Sequence, residues 1–148
     1  MTTISELITK HEGRRSKPYK CSAGANTIGV GHNIDANPLP PDIAKHLKET
    51  GSIDNEMIDR LLAMDIIRAA SDCKKLFPGF NSFSHNRRAA LIDWCFQLGF
   101  TRASRFVTSI ACINTGRWSE AAEAMRNSKW AEQTPNRAAE ITDLIEVG

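Results

Sequence analysis

"HEGRRSKPYKCSAGANTIGVGHNID", residues 11–35, contains the change from a helical pattern to a pattern of short strands and turns. Before it, Ile4, Leu7 and Ile8 form one apolar face of a short helix, which Gly13 ends. Within it, proline and glycine separate short stretches that are typical of antiparallel strands joined by tight turns. The sequence therefore predicts a short helix followed by a small antiparallel sheet.

Helical patterns fill the rest of the chain. They predict helices over about residues 42–48, 54–76, 84–98, 103–114 and 119–127, and a last one from about residue 135. Gly99 and Gly116 mark two of the stops, and Thr134 is expected to cap the last helix. Met57 and Met64 are expected in the core.

One small sheet followed by several helices predicts an α+β protein. We expect a single domain over residues 1–148 with two lobes. The sheet lobe is predicted at about residues 13–60, and the helical lobe takes the remainder together with the first helix. A cleft between the two lobes is the natural place for a site.

Composition and charge exclude several classes of protein. The chain has 148 residues, of which 41% are hydrophobic and 24% charged, a balance typical of a folded protein. Its net charge of +2 is too small for a nucleic-acid binder, which would carry a concentrated basic face. No secretory signal or membrane-spanning run is evident, so we expect synthesis in the cytoplasm and no membrane anchor.

The cysteines do not suggest a metal site. They are Cys21, Cys73, Cys95 and Cys112, and no two have the spacing of a metal knuckle. The last three lie in helical patterns and are expected to be small core residues with free thiols. Cys21 lies in the strand region instead, and combining it with His11 and His32 fits no common ligand pattern. We expect neither a metal nor another cofactor.

Three side chains in the opening stretch have hydrolytic potential. Glu12 ends the first helix, Cys21 follows after eight residues, and Thr27 follows after five more. The helix macrodipole at Glu12 disfavours a negative charge, which suits a proton donor. A carboxyl group, a second group able to act as base or nucleophile, and a hydroxyl that can hold water form a hydrolytic set. By spacing alone, a surface residue is the better interpretation of Glu12, and a simple strand former is an alternative interpretation of Thr27.

Several sequence blocks jointly resemble one family. "HEG", "TIGVGHNID", "RRAALIDWCFQLG", "RWSEAA" and "KWAEQTPNRA" follow one another from about residue 7 to about residue 145. In order and spacing they resemble the phage-type lysozymes, the endolysins of glycoside hydrolase family 24. The resemblance implies a lysozyme-like α+β fold. It also implies hydrolysis of the β-1,4 bond between N-acetylmuramic acid and N-acetylglucosamine in peptidoglycan, with lysis of the host cell.

The resemblance assigns roles to individual residues. Glu12 matches the catalytic glutamate of the family, and Thr27 matches its catalytic threonine, which positions a water molecule. Cys21 stands where the family usually has aspartate, and cysteine is a recognised alternative there. His32 and Arg137 match residues that surround the glutamate.

Substrate contacts are also implied by the resemblance. Asn33, Phe96, Gln97 and Ser109 fall at or beside cleft positions of the family. Ala124 stands where a polar cleft residue is often found, so one sugar contact is expected to be missing. The implied partner is the peptidoglycan glycan strand. We expect a monomer that waits in the host bacterial cytoplasm, depends on a holin for release, and acts on the cell wall in the periplasm.

Three questions stay open at the level of sequence. Cys21 is either a thiolate that attacks or activates water, or a passive thiol beside Glu12 and Thr27. The protein is a hydrolase, a lytic transglycosylase that forms anhydro products, or a non-catalytic cell-wall binder. The basic set of Arg14, Arg15, Lys17 and Lys20 is either a solvated rim or an attractor for the anionic cell wall.

Overall fold

A small antiparallel sheet follows the first helix, as the sequence predicts. The computed structural model describes residues 3–148. Helix α1 is Ile4–Glu12, and the strands are β1 Arg15–Lys20, β2 Asn26–Gly29 and β3 His32–Asn33. The strand order is β1-β2-β3, with both neighbouring pairs antiparallel. Tyr19 on β1 pairs with Thr27 on β2, and Thr27 pairs with Asn33 on β3, which places Thr27 in the centre of the sheet.

The remainder of the described chain is helical. The α-helices are α2 Pro41–Thr50, α3 Asn55–Leu76, α4 His85–Ala103, α5 Val107–Asn114, α6 Trp118–Arg126, α7 Lys129–Gln133 and α8 Pro135–Val147. A short 3-10 helix, Phe80–Ser82, lies between α3 and α4. The predicted α+β class is therefore confirmed. None of the helices in residues 3–148 combines the length and the apolar character that a membrane span requires.

Contacts divide the described chain into two units. The sheet unit is Ser5–Ile66, and the helical unit is Ile67–Gly148 with residues 3–4. The sheet unit has a core of aliphatic side chains: Leu7, Ile8, Ile28, Val30, Ile43, Ile53, Ile58, Leu61 and Leu62. The core of the helical unit includes Phe77, Leu91, Trp94, Ile113, Met125, Ile141 and Ile145. The grouping into one domain with a lobe at about residues 13–60 stays a prediction.

Helix α3 corrects one expectation about the core. Met64 was expected to be buried, but it is 43% exposed, and Ile67 is 70% exposed. The buried residues of this helix follow one stripe at helical spacing: Ile58, Leu61, Leu62, Asp65, Ala69 and Cys73. Met64 and Ile67 fall outside that stripe, so their apolar character does not bring them into the core.

Two helix boundaries differ from the sequence prediction. Gly99 breaks α4 as expected, with φ 77° and ψ 164°, but the chain resumes a helical turn as far as Ala103. Helix α5 then begins at Val107 rather than near residue 103. Two tight turns intervene, in which the N–H groups of Arg105 and Phe106 donate to the carbonyls of Arg102 and Ala103.

The start of α8 corrects a predicted cap. Pro135 begins the helix as expected, but the Thr134 side chain does not cap it. The Thr134 hydroxyl instead donates to the Trp130 carbonyl of the preceding helix, at 2.9 Å. The prediction that Cys73, Cys95 and Cys112 are buried free thiols is confirmed.

Candidate functional site

The turn between β1 and β2 positions Cys21. The Cys21 N–H donates to the Ala25 carbonyl at 3.0 Å, and the Gly24 N–H donates to the Cys21 carbonyl at 2.8 Å. Gly24 has φ +83°, a left-handed conformation that glycine adopts without steric cost. The chain reverses within five residues, so its N–H groups curl towards the side chain of Cys21.

This turn changes the acidity of the Cys21 thiol. Burial of the thiol acts to raise its pKa, but hydrogen bonds outweigh burial and leave the pKa of Cys21 below its ordinary value. The donors are the backbone N–H groups of Ala25, Ala23 and Gly24 and the side chain of Thr27. Hydrogen bonds to the charged form of an acid favour that form, so the turn stabilises a thiolate.

Thr27 is adjacent to Cys21 and almost fully buried. It lies in β2 with 3% of its surface exposed. Its hydroxyl donates to the Ala25 carbonyl at 2.9 Å, and a hydrogen bond from the same side chain favours the Cys21 thiolate. One hydroxyl carries one hydrogen, so the two acceptors compete for it. The Thr27 hydroxyl can therefore donate either to the Ala25 carbonyl or to the Cys21 sulfur.

Asp35, which follows β3, holds the same turn in place through Asn26. Its carboxylate accepts from the Asn26 backbone N–H at 2.9 Å and from the Asn26 side-chain amide at 3.0 Å. The backbone hydrogen bond is the main cause of the lowered pKa of Asp35. Because Asn26 follows the turn directly, this pair fixes the strand from which Thr27 projects.

Glu12 packs closely against the turn between β2 and β3. A methyl group at Gly31 would lie 2.7 Å from both Cδ and Oε1 of Glu12, nearer than side chains approach one another. Gly31 also has φ +64°, which favours glycine independently. The half-buried carboxyl of Glu12 therefore occupies the space that a side chain at Gly31 would fill. Gly31, the second glycine of the "GVGH" segment, therefore leaves room for the carboxyl group of Glu12.

Tyr19 connects these groups, and sequence reasoning did not single it out. Burial raises the pKa of Tyr19 above its ordinary value, and the charges of Glu12 and Cys21 act in the same direction. Its phenol therefore lies near both groups, and its backbone pairs with that of Thr27. Tyr19 is the only tyrosine in the chain and lies on β1, two residues before Cys21 in the turn that follows.

His32 is held by a carboxylate that the sequence analysis did not name. Its Nδ1 lies 2.8 Å from Oδ2 of Asp65 on α3, and its Nε2 lies 2.8 Å from the Asn37 carbonyl. Both His32 and Asp65 are buried. The pair joins β3 to α3. Asp65 could have been noticed, because it is a charged residue inside the apolar stripe of its helix.

Three further predicted site residues, Asn33, Arg137 and Gln97, form hydrogen bonds or ion pairs within their own unit. The Asn33 side chain accepts from the Ala36 N–H at 3.0 Å. In the helical unit, the Arg137 guanidinium is paired with the buried Asp93 on α4 at 2.6 Å. The Gln97 carbonyl oxygen accepts from the Trp130 indole at 2.9 Å.

Phe96 is half-buried on α4, whereas Ser109 on α5 is only 3% exposed. The pairing of Asp93 could not be identified from sequence, because an acidic residue in an apolar helix does not indicate which distant residue it contacts. Within residues 3–148, no group of three or more histidine, cysteine or acidic side chains is arranged to hold a metal ion.

Comparison with known proteins identifies the family of the chain. A family model described as phage lysozyme matches residues 9–142. "Probable T4-type lysozyme 2" and "Probable T4-type lysozyme 1" of Dictyostelium discoideum are each 28% identical to the chain, with 100% of this chain and 96% of each relative covered. "Pre-baseplate central spike protein Gp5" of Enterobacteria phage T4 is 29% identical over 99% of this chain and 28% of its own length. The chain therefore belongs to the phage lysozyme family and is a glycoside hydrolase of the lysozyme type.

Proposed function

We propose that the protein is a muramidase, which hydrolyses the β-1,4 bond between N-acetylmuramic acid and N-acetylglucosamine in peptidoglycan. One observation carries this proposal. The sheet unit gathers a carboxyl group, a thiol with a lowered pKa and a hydroxyl around Tyr19. Family membership supports the peptidoglycan substrate.

Glu12 is the proton donor in the proposed reaction. It transfers its proton to the glycosidic oxygen as the bond from that oxygen to the anomeric carbon breaks. The close packing of its side chain against Gly31 supports this role, because it fixes the direction in which the carboxyl group points. A proton donor contributes to the rate only when it is held within hydrogen-bond reach of the leaving oxygen.

Cys21 and Thr27 act on the other reactant. The Cys21 thiolate either accepts a proton from water, which then attacks the anomeric carbon, or attacks that carbon itself. The hydrogen bonds of the turn support both alternatives, because they increase the fraction of thiolate at a given pH. Thr27 positions the water through its hydroxyl, which lies beside the sulfur.

Three variants test these roles on purified sacculi. We expect Glu12→Gln to reduce the release of new reducing ends by about 10² to 10⁴, the typical contribution of general acid catalysis to the rate. Cys21→Ser is expected to lose most of the activity and Cys21→Asp to retain it, because serine is not ionised at neutral pH whereas aspartate is. Full activity in Cys21→Ser would make Cys21 a passive thiol.

We also propose that the protein lyses its host as an endolysin. It waits as a monomer in the host bacterial cytoplasm and reaches the cell wall through a holin pore. Family membership supports this course of events. Expression in a bacterium with and without a co-expressed holin tests it: lysis is expected only with the holin. Lysis at the same time without a holin would contradict the dependence.

A further inference from the structure

Arg15 is held in place by an aromatic ring at the proposed site. It begins β1, and its guanidinium carbon lies 4.5 Å from the centre of the Tyr19 ring. A guanidinium over an aromatic face is attracted by the negative electrostatic potential of that face. Stacking also restricts a long side chain, so less conformational entropy remains to be lost when it binds a ligand.

The guanidinium of Arg15 has no carboxylate partner within residues 3–148, unlike two other arginines of the sheet unit. Arg14 pairs with Asp59 at 2.8 Å, and Arg60 pairs with Asp42 at 2.8 Å. Arg15 is exposed, so its N–H donors face solvent. A fixed, exposed guanidinium with unused donors is suited to bind a planar anion such as a carboxylate.

Tyr19 connects Arg15 to the reacting groups. One face of its ring carries the guanidinium, while its phenol lies near Glu12 and Cys21. The backbone of Tyr19 is directly opposite Thr27. A sugar that reaches Glu12 and Cys21 therefore brings its substituents within one aromatic ring of Arg15.

The proposed substrate carries the complementary charge. Each N-acetylmuramic acid has a lactyl group, which ends either in a free carboxylate or in a peptide stem with carboxylates of its own. We propose that Arg15, stacked on Tyr19, binds a carboxylate of the peptidoglycan strand and so makes the enzyme prefer anionic strands over neutral ones. This proposal rests on the proposed muramidase function.

Three forms of one substrate separate the sources of charge. Intact sacculi carry peptide carboxylates, and amidase-stripped strands carry only the lactyl carboxylate. Sacculi whose carboxylates have been amidated by carbodiimide coupling carry neither. Each form is given to the unmodified protein, to Arg15→Gln, to Arg15→Lys and to Lys17→Gln. Lys17 is the matched control, since it is an exposed cation on the same strand with no described contact in residues 3–148.

We expect Arg15→Gln to lower kcat/KM on intact sacculi about tenfold, mostly through KM, which is the range for one charge-assisted hydrogen-bonding pair. On amidated sacculi, Arg15→Gln and the unmodified protein are expected to agree within about twofold. On intact sacculi, the kcat/KM of Arg15→Lys is expected to fall between those of Arg15→Gln and the unmodified protein, because an ammonium keeps the charge but not the planar fork. The stripped strands then assign the effect to the lactyl group or to the peptide.

An equal loss in either control would overturn the proposal. An equal loss on amidated sacculi would mean that Arg15 acts on the protein rather than on a substrate carboxylate. An equal loss in Lys17→Gln would assign the effect to the overall charge of the strand. Thermal unfolding checks that each variant is folded.

Binding by co-sedimentation keeps the proposal separate from the muramidase function. If the unmodified protein turns over none of the substrates, the proposed function fails. Tighter binding to intact than to amidated sacculi, lost in Arg15→Gln, would still support the carboxylate site. Turnover or binding that does not depend on Arg15 would contradict the proposed carboxylate site and leave the proposed muramidase function unaffected.

Discussion

Cys21 differs from the other three cysteines in its surroundings. Cys73, Cys95 and Cys112 are buried among helices. The hydrogen bond with Cys95 is the main cause of the raised pKa of Cys73, and burial acts in the same direction. Cys21 is only partly buried and is surrounded by N–H donors, which lower its pKa. Cys21 therefore combines partial exposure with a lowered pKa, whereas the other three cysteines are buried.

Alkylation measures this difference. A lowered pKa means that the thiolate of Cys21 persists to lower pH than that of an ordinary thiol, and only the thiolate reacts with iodoacetamide. We expect the alkylation rate of Cys21 in the folded protein to reach half its maximum at a lower pH than in the urea-unfolded chain. The other three cysteines, which serve as internal controls, are expected to react only after unfolding. An equal or higher midpoint in the folded protein would contradict the stabilisation of the thiolate.

Gly31 tests the placement of Glu12. In Gly31→Ala the new methyl group collides with the Glu12 carboxyl, and the left-handed backbone adds a cost of about 1–2 kcal/mol. We expect lower stability and at least a tenfold loss of kcat per folded molecule, measured by urea unfolding and by reducing-end release.

Gly51 provides the matched control for this substitution. It has φ +80°, but a methyl group there would meet nothing within 4 Å. Gly51→Ala should therefore lose only the stability that the left-handed backbone costs, less than Gly31→Ala loses, and keep its activity per folded molecule. Equal activities in the two variants would show that Gly31 does not position Glu12.

At the scale of elements, the pair of His32 and Asp65 joins the sheet to α3. Both residues are buried, and their atoms are 2.8 Å apart. Asp65→Asn leaves a buried histidine without its anionic partner, so we expect the free energy of unfolding to fall by about 3 kcal/mol, a typical cost of breaking a buried pair. Urea unfolding at constant pH measures it.

An exposed ion pair serves as the comparison. Asp42 and Arg60 join α2 to α3 at the same distance, 2.8 Å, but at the surface. Solvent screens such a pair, so Asp42→Asn should change the free energy of unfolding much less than Asp65→Asn does. Similar losses in both variants would mean that burial of the His32 pair adds no stability.

At the scale of the whole molecule, local signals predicted most of the architecture. Glycines and prolines act within a few residues, which is why the sheet region and the break at Gly99 could be located from sequence. Apolar periodicity predicted every α-helix except α7, but not which apolar residues are buried. The prediction that Met64 lies in the core was wrong for that reason. The predicted end of α4 and the predicted start of α5 were wrong, because the tight turns between the two helices resemble helix in sequence.

The candidate site was only partly predictable, because its geometry depends on contacts between distant residues. Glu12, Cys21 and Thr27 could be proposed from spacing and resemblance. The fit of Glu12 against Gly31, the position of Tyr19 and the pairing of Arg137 with Asp93 depend on how the elements pack. No pattern in a single sequence carries that information.

Mass spectrometry of the products released from purified peptidoglycan distinguishes hydrolysis from the alternative reactions. The unmodified protein is compared with Glu12→Gln under identical conditions. We predict muropeptides that end in reducing N-acetylmuramic acid, present with the unmodified protein and absent with Glu12→Gln. Anhydro ends would contradict hydrolysis and identify a transglycosylase, and binding without any products would identify a cell-wall-binding protein that keeps the lysozyme fold.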